Sequence, residues 1–184
     1  MKKVIILTGT PGVGKTTLAK KLSLRLRGAK FYDANSIAKK HNLYLGKDKF
    51  GSKIVKLEGL EKEIGKIVKA QRSGILIFEG HLLCEIKIKG ALAIVLREHL
   101  ETLRKRLTQR GYPTEKIRDN IVSEAIDYCG FAAQKNYKLA YELMGSSALP
   151  KVIAVAKGKR VSATQINLLP ELVGIIKKEK KFAL

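Results

Sequence analysis

The chain is short of acid. Sixteen Asp and Glu face 37 Lys and Arg over 184 residues, a formal charge of +21. One phosphate pocket uses only a handful of those cations. The surplus implies a broadly positive surface that attracts nucleic acid by counterion release. Adaptation to a hot or salty interior, or a Lys-rich genome, are the alternatives. Hot-adapted proteins usually enrich Glu along with Lys, and Glu is not abundant here. No aromatic-interleaved motif of the RNA-recognition type is present. Cysteine is equally scarce. Cys84 and Cys129 are the only two, with no CxxC pair or Cys/His cluster. A structural zinc is therefore not expected, and a reduced, cytoplasmic setting fits best. No apolar run approaches the roughly 20 residues of a membrane helix. Met1-Lys2-Lys3 before Val4–Leu7 imitates a secretion signal, but that apolar run is too short. Repeats, low-complexity segments and dividing linkers are missing too. Residues 1–184 thus read as one domain, long enough to bury a core.

The most telling stretch is Gly9-Thr10-Pro11-Gly12-Val13-Gly14-Lys15-Thr16. It fits G-x-x-x-x-G-K-[ST], the phosphate-cradling P-loop. Chance would place these fixed positions in about one such chain in a hundred. The apolar run Val4–Leu7 before it and the amphipathic stretch Thr17–Leu26 after it supply the required strand–loop–helix context. The glycines let successive N–H groups converge on phosphate oxygens, and the helix N-terminus adds its positive end. In this arrangement the loop grips the phosphates of a nucleoside triphosphate. Lys15 reaches the β- and γ-phosphates, and the Thr16 hydroxyl ligates Mg²⁺.

Strand-like and helical stretches alternate along the chain. Strands are expected at 3–8, 29–32, 74–79, 91–97 and 151–156. Helices are expected at 15–27, 35–42, 57–72 and 98–110, and a long one, capped by Thr114, should run towards Met144. A last helix should cover 162–181, interrupted near Pro170, and 43–52 reads as a mobile loop. Such alternation predicts an α/β fold: a parallel five-stranded sheet with helices on both faces, the three-layer P-loop NTPase architecture. The run Lys177–Lys181 reads as a solvated helix end.

The γ-phosphate's destination depends on residues outside the loop. Glu79 ends an apolar strand, where open α/β sheets place their ligands, and a carboxylate there can hold Mg²⁺ through water. His81, two residues on, can orient the attacking group, and a packing or capping role explains it equally well. Arg97, Arg104, Arg106, Arg110 and Arg118 form a cluster of planar donors suited to phosphate. A solvated basic helix accounts for Arg104 and Arg118 without function. Arg110-Gly111-Tyr112-Pro113 has the character of a hinge at the start of a lid.

Gly9–Thr17, Glu79-Gly80-His81, Val95-Leu96-Arg97, Arg106-Leu107, Gln109–Tyr112 and Lys116–Glu124 together resemble the small archaeal adenylate kinases. Those proteins are relatives of the eukaryotic nuclear adenylate kinase isoenzyme six. The resemblance runs from residue 3 to about 170. It implies a nucleoside monophosphate kinase fold with Mg-ATP-dependent phosphoryl transfer to AMP and intrinsic ATPase activity. It also implies a role in small-ribosomal-subunit maturation, with a small-subunit ribosomal protein and rRNA as partners. By family position Gly12, Gly14, Lys15, Thr16 and Thr17 bind the phosphates of ATP, Arg110 contacts ATP, Lys159 lines the adenine pocket, the monophosphate region spans about 33–56, and the lid about 109–119. The catalytic set so implied is Lys15, Arg110, Glu79 and His81. Two departures stand out: Glu79 replaces the family's usual Asp, and Lys39 stands where an arginine is expected. A ribosome-assembly ATPase switch and a small-metabolite kinase of the shikimate kinase type are the rival readings.

Overall fold

The computed structural model describes residues 2–162 and 166–182. Its main sheet is built from β1 (Lys2–Thr8), β2 (Lys30–Asp33), β5 (Gly74–Glu79), β6 (Ala91–Arg97) and β7 (Ala140–Met144), in the order β2-β5-β1-β6-β7. Every pairing in it is parallel. The central strands are apolar along both faces, as parallel strands covered on both sides must be. Alternation then sorts their side chains into two cores. Ile5, Leu7, Ile77, Ile94 and Leu96 point to one face. They pack against α1 (Lys15–Ser23), α4 (Leu100–Gln109), α5 (Thr114–Ala125), α7 (Ala148–Ala156) and α8 (Leu169–Phe182). Val4, Ile6, Leu76, Phe78 and Val95 point to the other face. There they meet α2 (Ala34–Lys40), α3 (Leu57–Ala70) and α6 (Tyr128–Asn136). This is the expected three-layer fold. From β1 the chain passes to β2 on one side, whereas from β6, its neighbour, it passes to β7 on the other. The carboxyl end of β1 is therefore the switch point of the sheet, where ligands bind in open α/β folds.

Several expectations need correction. The stretch 151–156 is not a strand but part of α7, whose buried residues Ala148, Val152, Val155 and Ala156 follow helical spacing. Pro150 falls in its first turn, where a missing N–H costs nothing. The fifth strand is instead β7, inside what reads as one long helix from 114 towards 144. That helix is broken at Asp127, which takes a left-handed backbone (φ 57°) and accepts a bond from the Gly130 N–H, opening α6. Thr114 does not cap α5: Pro113 stands at the cap position, with no side-chain bond there. The region 43–52 carries strand β3 (Tyr44–Lys47), which pairs antiparallel with β4 (Lys53–Val55). Asp48 stabilises the turn between them by accepting from the Phe50 and Ser52 N–H groups, at 2.8 Å each. Pro170 does not interrupt the last helix, which starts at Leu169. Residues 163–165 of the expected span lie outside the described residues. In the run 177–181, Lys177 and Lys178 are exposed, and the other side chains lie outside the described residues. Among the described residues no helix is long and apolar enough to cross a membrane.

Candidate functional site

The P-loop leaves β1 at its carboxyl end and opens α1 at Gly14, which takes a left-handed backbone. Two glycines here are required by geometry. At Gly9 (φ +132°) a Cβ would stand 2.3 Å from the Leu96 carbonyl oxygen, which β6 holds fixed. At Gly12 (φ +97°) it would stand 2.7 Å from Leu103 Cδ1. The loop thus folds against β6 and α4 so closely that no side chain fits. Arg106 grips it from outside: its Nη1 donates to the Gly12 carbonyl at 3.2 Å and pairs with Glu98 at 2.8 Å.

Lys15 is buried and folds back over the loop, donating to the Gly9 and Thr10 carbonyls at 2.8 and 3.0 Å. Burial pushes its ammonium down to about 8 from the usual 10.5, opposed by neighbouring anionic groups including Glu79 and Glu124. A cation so desolvated gains most from an incoming anion. The Thr16 hydroxyl donates to Glu79 Oε1 at 2.9 Å. Glu79 is in register with Asp33 on the neighbouring strand. Burial raises the Glu79 carboxyl above the ordinary range, and the Asp33 charge adds to this against the Thr16 hydrogen bond. Asp33 also caps α2, accepting from the Asn35 and Ser36 N–H groups. A hydroxyl beside two carboxylates suits Mg²⁺, which takes few protein oxygens and completes its shell with phosphates and water. Among the described residues no cluster of three or more His, Cys, Asp or Glu is placed to hold a metal ion. His81 lies at the start of a 3₁₀ turn (His81–Cys84), and burial, with the Lys15 charge, lowers its imidazole to about 4. It is neutral at physiological pH. Its carbonyl accepts from Thr8 and from the Cys84 thiol, which anchors the turn against β1.

Three adjoining cavities meet at the loop. A small one of about 210 Å³ is lined by Gly12, Gly14, Lys15, Thr16, Thr17, Glu79, His81 and Arg110. It brings the predicted phosphate and catalytic residues together. On one side it shares Gly12, Gly14, Thr17 and Arg110 with a cavity of about 560 Å³ that extends to Gly145, Leu149 and Pro150. On the other it shares Pro11, Asn35, His81 and Tyr112 with a cavity of about 870 Å³ roofed by β3 and β4. Lys116 of α5 closes the far wall, with its ammonium 4.8 Å from the Tyr112 ring and hydrogen-bonded to Ser52. Lys49 pairs with Glu115 across the same gap.

Other predicted residues fall elsewhere. Lys159 follows α7 rather than a strand, is exposed, and does not line these cavities. Arg97 is only 1% exposed and turned inward: Glu124, Asp127 and Glu142 hold it. It is a structural cation, not a phosphate ligand. Arg104 pairs with Glu101 on its own helix. Asn35, Lys116, Asn120 and Ser123 line the largest of the three cavities; sequence reasoning gave them no individual role, although Asn35 falls in the expected monophosphate region and Lys116 in the expected lid. The i, i+4 spacing of Lys116 and Asn120 on a helix that follows the hinge was the available signal.

The comparisons agree with this geometry. Residues 5–127 match the family model described as AAA domain. A protein of Methanocaldococcus jannaschii named "putative adenylate kinase" is 40% identical over 126 residues, which cover 68% of each chain. One of the same name from Pyrococcus furiosus is 31% identical over 150 residues, 82% of this chain and 79% of that one. Among solved structures, shikimate kinase from Bacteroides thetaiotaomicron superposes with a TM-score of 0.58 at 16% identity, over 84% of this chain and 98% of that one. The tunicamycin resistance protein of Deinococcus radiodurans gives 0.58 at 18% identity, over 89% and 100%. Those likenesses speak for the fold alone. With its loop, switch-point site and aligned length all in agreement, the chain belongs to the archaeal adenylate-kinase-like family of P-loop proteins.

Proposed function

We propose that this protein transfers the γ-phosphoryl group of ATP to a nucleoside monophosphate, AMP by preference. The observation that carries the reading is the small phosphate cavity set between two larger ones, each sharing part of its wall. ATP enters from the side of Gly145 and Pro150, with its phosphates on the loop. The acceptor fills the larger cavity, whose volume suits a nucleotide rather than a small hydroxy acid. The acceptor's phosphate oxygen attacks the γ-phosphorus, the bond to the bridging β–γ oxygen breaks, and ADP leaves from both sides. Lys15 and Arg110 hold the transferring charge, so catalysis is positioning plus electrostatics. Neutral His81, lining the phosphate and acceptor cavities, orients the acceptor without competing for its proton. Thr16, Glu79 and Asp33 would hold Mg²⁺, which when bound neutralises phosphate charge.

The segment 33–56 supplies the acceptor side and 109–119 the lid, within one domain. With the acceptor absent, water can take its place, which gives the ATPase activity. A measurement of ADP formation with and without AMP tests the proposal. AMP is expected to raise turnover by about tenfold or more, the scale that positioning supplies. Turnover indifferent to AMP would instead support an ATPase switch or a kinase of another acceptor. The +21 charge favours a cytoplasmic role at the small ribosomal subunit, with rRNA or a ribosomal protein bound.

Lys15 also gives a pH signature. Its free-state value near 8 rises when a triphosphate tail sits beside it. Binding therefore takes up a proton above pH 8, and ATP affinity is expected to fall as pH climbs from about 8 towards 10. Calorimetry in buffers of different ionisation heat measures that uptake directly. Flat affinity across this window would mean that Lys15 does not meet the phosphates.

A further inference from the structure

A second site lies outside the nucleotide cavities. α4, α5 and α8 frame a groove of about 690 Å³. Its floor is aliphatic: Ile117, Ile121, Val122, Leu172, Ile175 and Ile176. Val122 and Ile176 are 40% and 44% exposed, although both are large apolar side chains. Arg104, Lys105 and Arg118 stand on its walls, and among the described residues no carboxylate lines it. An exposed apolar strip with one sign of charge around it marks a partner site.

We propose that this groove docks an amphipathic helix of a protein partner, apolar on one flank and acidic beside it. The groove's chemistry argues against the other occupants. A nucleic-acid backbone would leave the aliphatic floor unused. A second copy of this chain would bring another +21 of charge against the first. Residues 177–184 are Lys-rich, the wrong sign for walls of Arg and Lys. A helix laid in the groove would present anchors at i, i+4 and i+7 to the isoleucines, with Glu or Asp reaching Lys105 and Arg118.

The groove is wired to the nucleotide site. Tyr112 lines it and also lines the phosphate and acceptor cavities. α5, one wall of the groove, holds the P-loop from its other side, where Glu124 accepts from the Thr10 hydroxyl at 2.5 Å. Docking therefore biases the hinge beside Arg110. This coupling rests on the kinase reading, whereas the docking does not.

The test uses the full chain with labelled isoleucine methyls and synthetic peptides of about 14 residues, a helix about 21 Å long. One peptide is amphipathic and acidic, one is its scramble, and one carries Lys in place of every acid. The acidic amphipathic peptide is expected to shift the methyls of Ile117, Ile121, Ile175 and Ile176. It should bind about tenfold tighter than either control, a difference of about 1.4 kcal/mol. V122E with I176E, at exposed positions, should remove that advantage while Mg-ATP affinity stays unchanged. K105E with R118E should remove it without touching the floor. Equal binding of the three peptides, shifts elsewhere, or no binding at millimolar concentration would overturn the proposal. So would concentration-dependent dimerisation that perturbs the same methyls. Saturating Mg-ATP should alter the acidic peptide's affinity by about threefold or more, within the usual range of coupling. Unchanged affinity would overturn the coupling and leave the docking standing.

Discussion

Lys15→Met is expected to lower phosphoryl transfer by about 10²-fold or more, the scale on which one pre-aimed charge stabiliser contributes. The reason is local. The Lys15 ammonium is buried, desolvated and held by two loop carbonyls at 2.8 and 3.0 Å. It costs free energy to keep a cation there, and the protein recovers that cost when phosphate oxygens replace the carbonyls as partners. Methionine fills the same space without the charge. It leaves the Gly9 and Thr10 carbonyls without this donor, a loss of about 1 kcal/mol in stability. The fold should therefore survive while turnover does not. Turnover is read by ADP formation in the presence of AMP, and folding by a urea midpoint close to that of the parent. If the variant kept turnover within about threefold of the parent, the loop would not hold the reacting phosphates.

How much of this was legible in the sequence varies along the chain. β1, the loop and α1 could be read because each local signal agrees: an apolar run, glycines at forced backbone angles, then an amphipathic stretch. β5 and β6 could be read because strands buried on both faces are apolar throughout. The C-terminal half misled for physical reasons. Residues 151–156 hold enough Val and Ile to look like a strand, but α7 buries them at helical spacing. β7 contains Glu142 and looks unlike a core strand, because its carboxylate is paired with an arginine from the neighbouring strand. Asp127 ends one helix and begins another with no Gly or Pro to announce it. The β3–β4 turn was hidden in basic residues, although Asp48 and Gly51 carry its chemistry. In the site, the residues carried by the loop and by β5 were legible. The acceptor-side residues on α5 were not, since their role depends on how that helix crosses the cavity.

Arg97 was misread for a related reason. Its place at the carboxyl end of β6 suits a phosphate ligand, and only the tertiary structure shows its partners. Its Nε donates to Glu124 Oε1 at 3.0 Å, its Nη2 to the Glu124 carbonyl at 2.6 Å, and its Nη1 to Glu142 at 2.8 Å, with Asp127 also paired. Glu124 in turn accepts from the Glu98 N–H at 3.0 Å and from Thr10, so the network ties β6, β7, α5 and the P-loop together. Arg97→Met removes a cation that three carboxylates share. Removing one partner of a buried pair costs about 3–5 kcal/mol, and a domain has about 5–15 kcal/mol in total. The deficit should depend on pH. Glu142 already stands raised to about 7, by burial first and by Asp127 second, with Arg97 opposing both. Its folded value lies above the unfolded 4.5, so ionising it costs stability as pH rises from about 4.5 through 7. Without Arg97 the opposition is gone, and that loss grows larger and reaches to higher pH. The gap between parent and variant in urea unfolding should therefore widen from pH 5.5 to pH 8. A gap below about 1 kcal/mol, or one indifferent to pH, would mean that the carboxylates do not depend on Arg97.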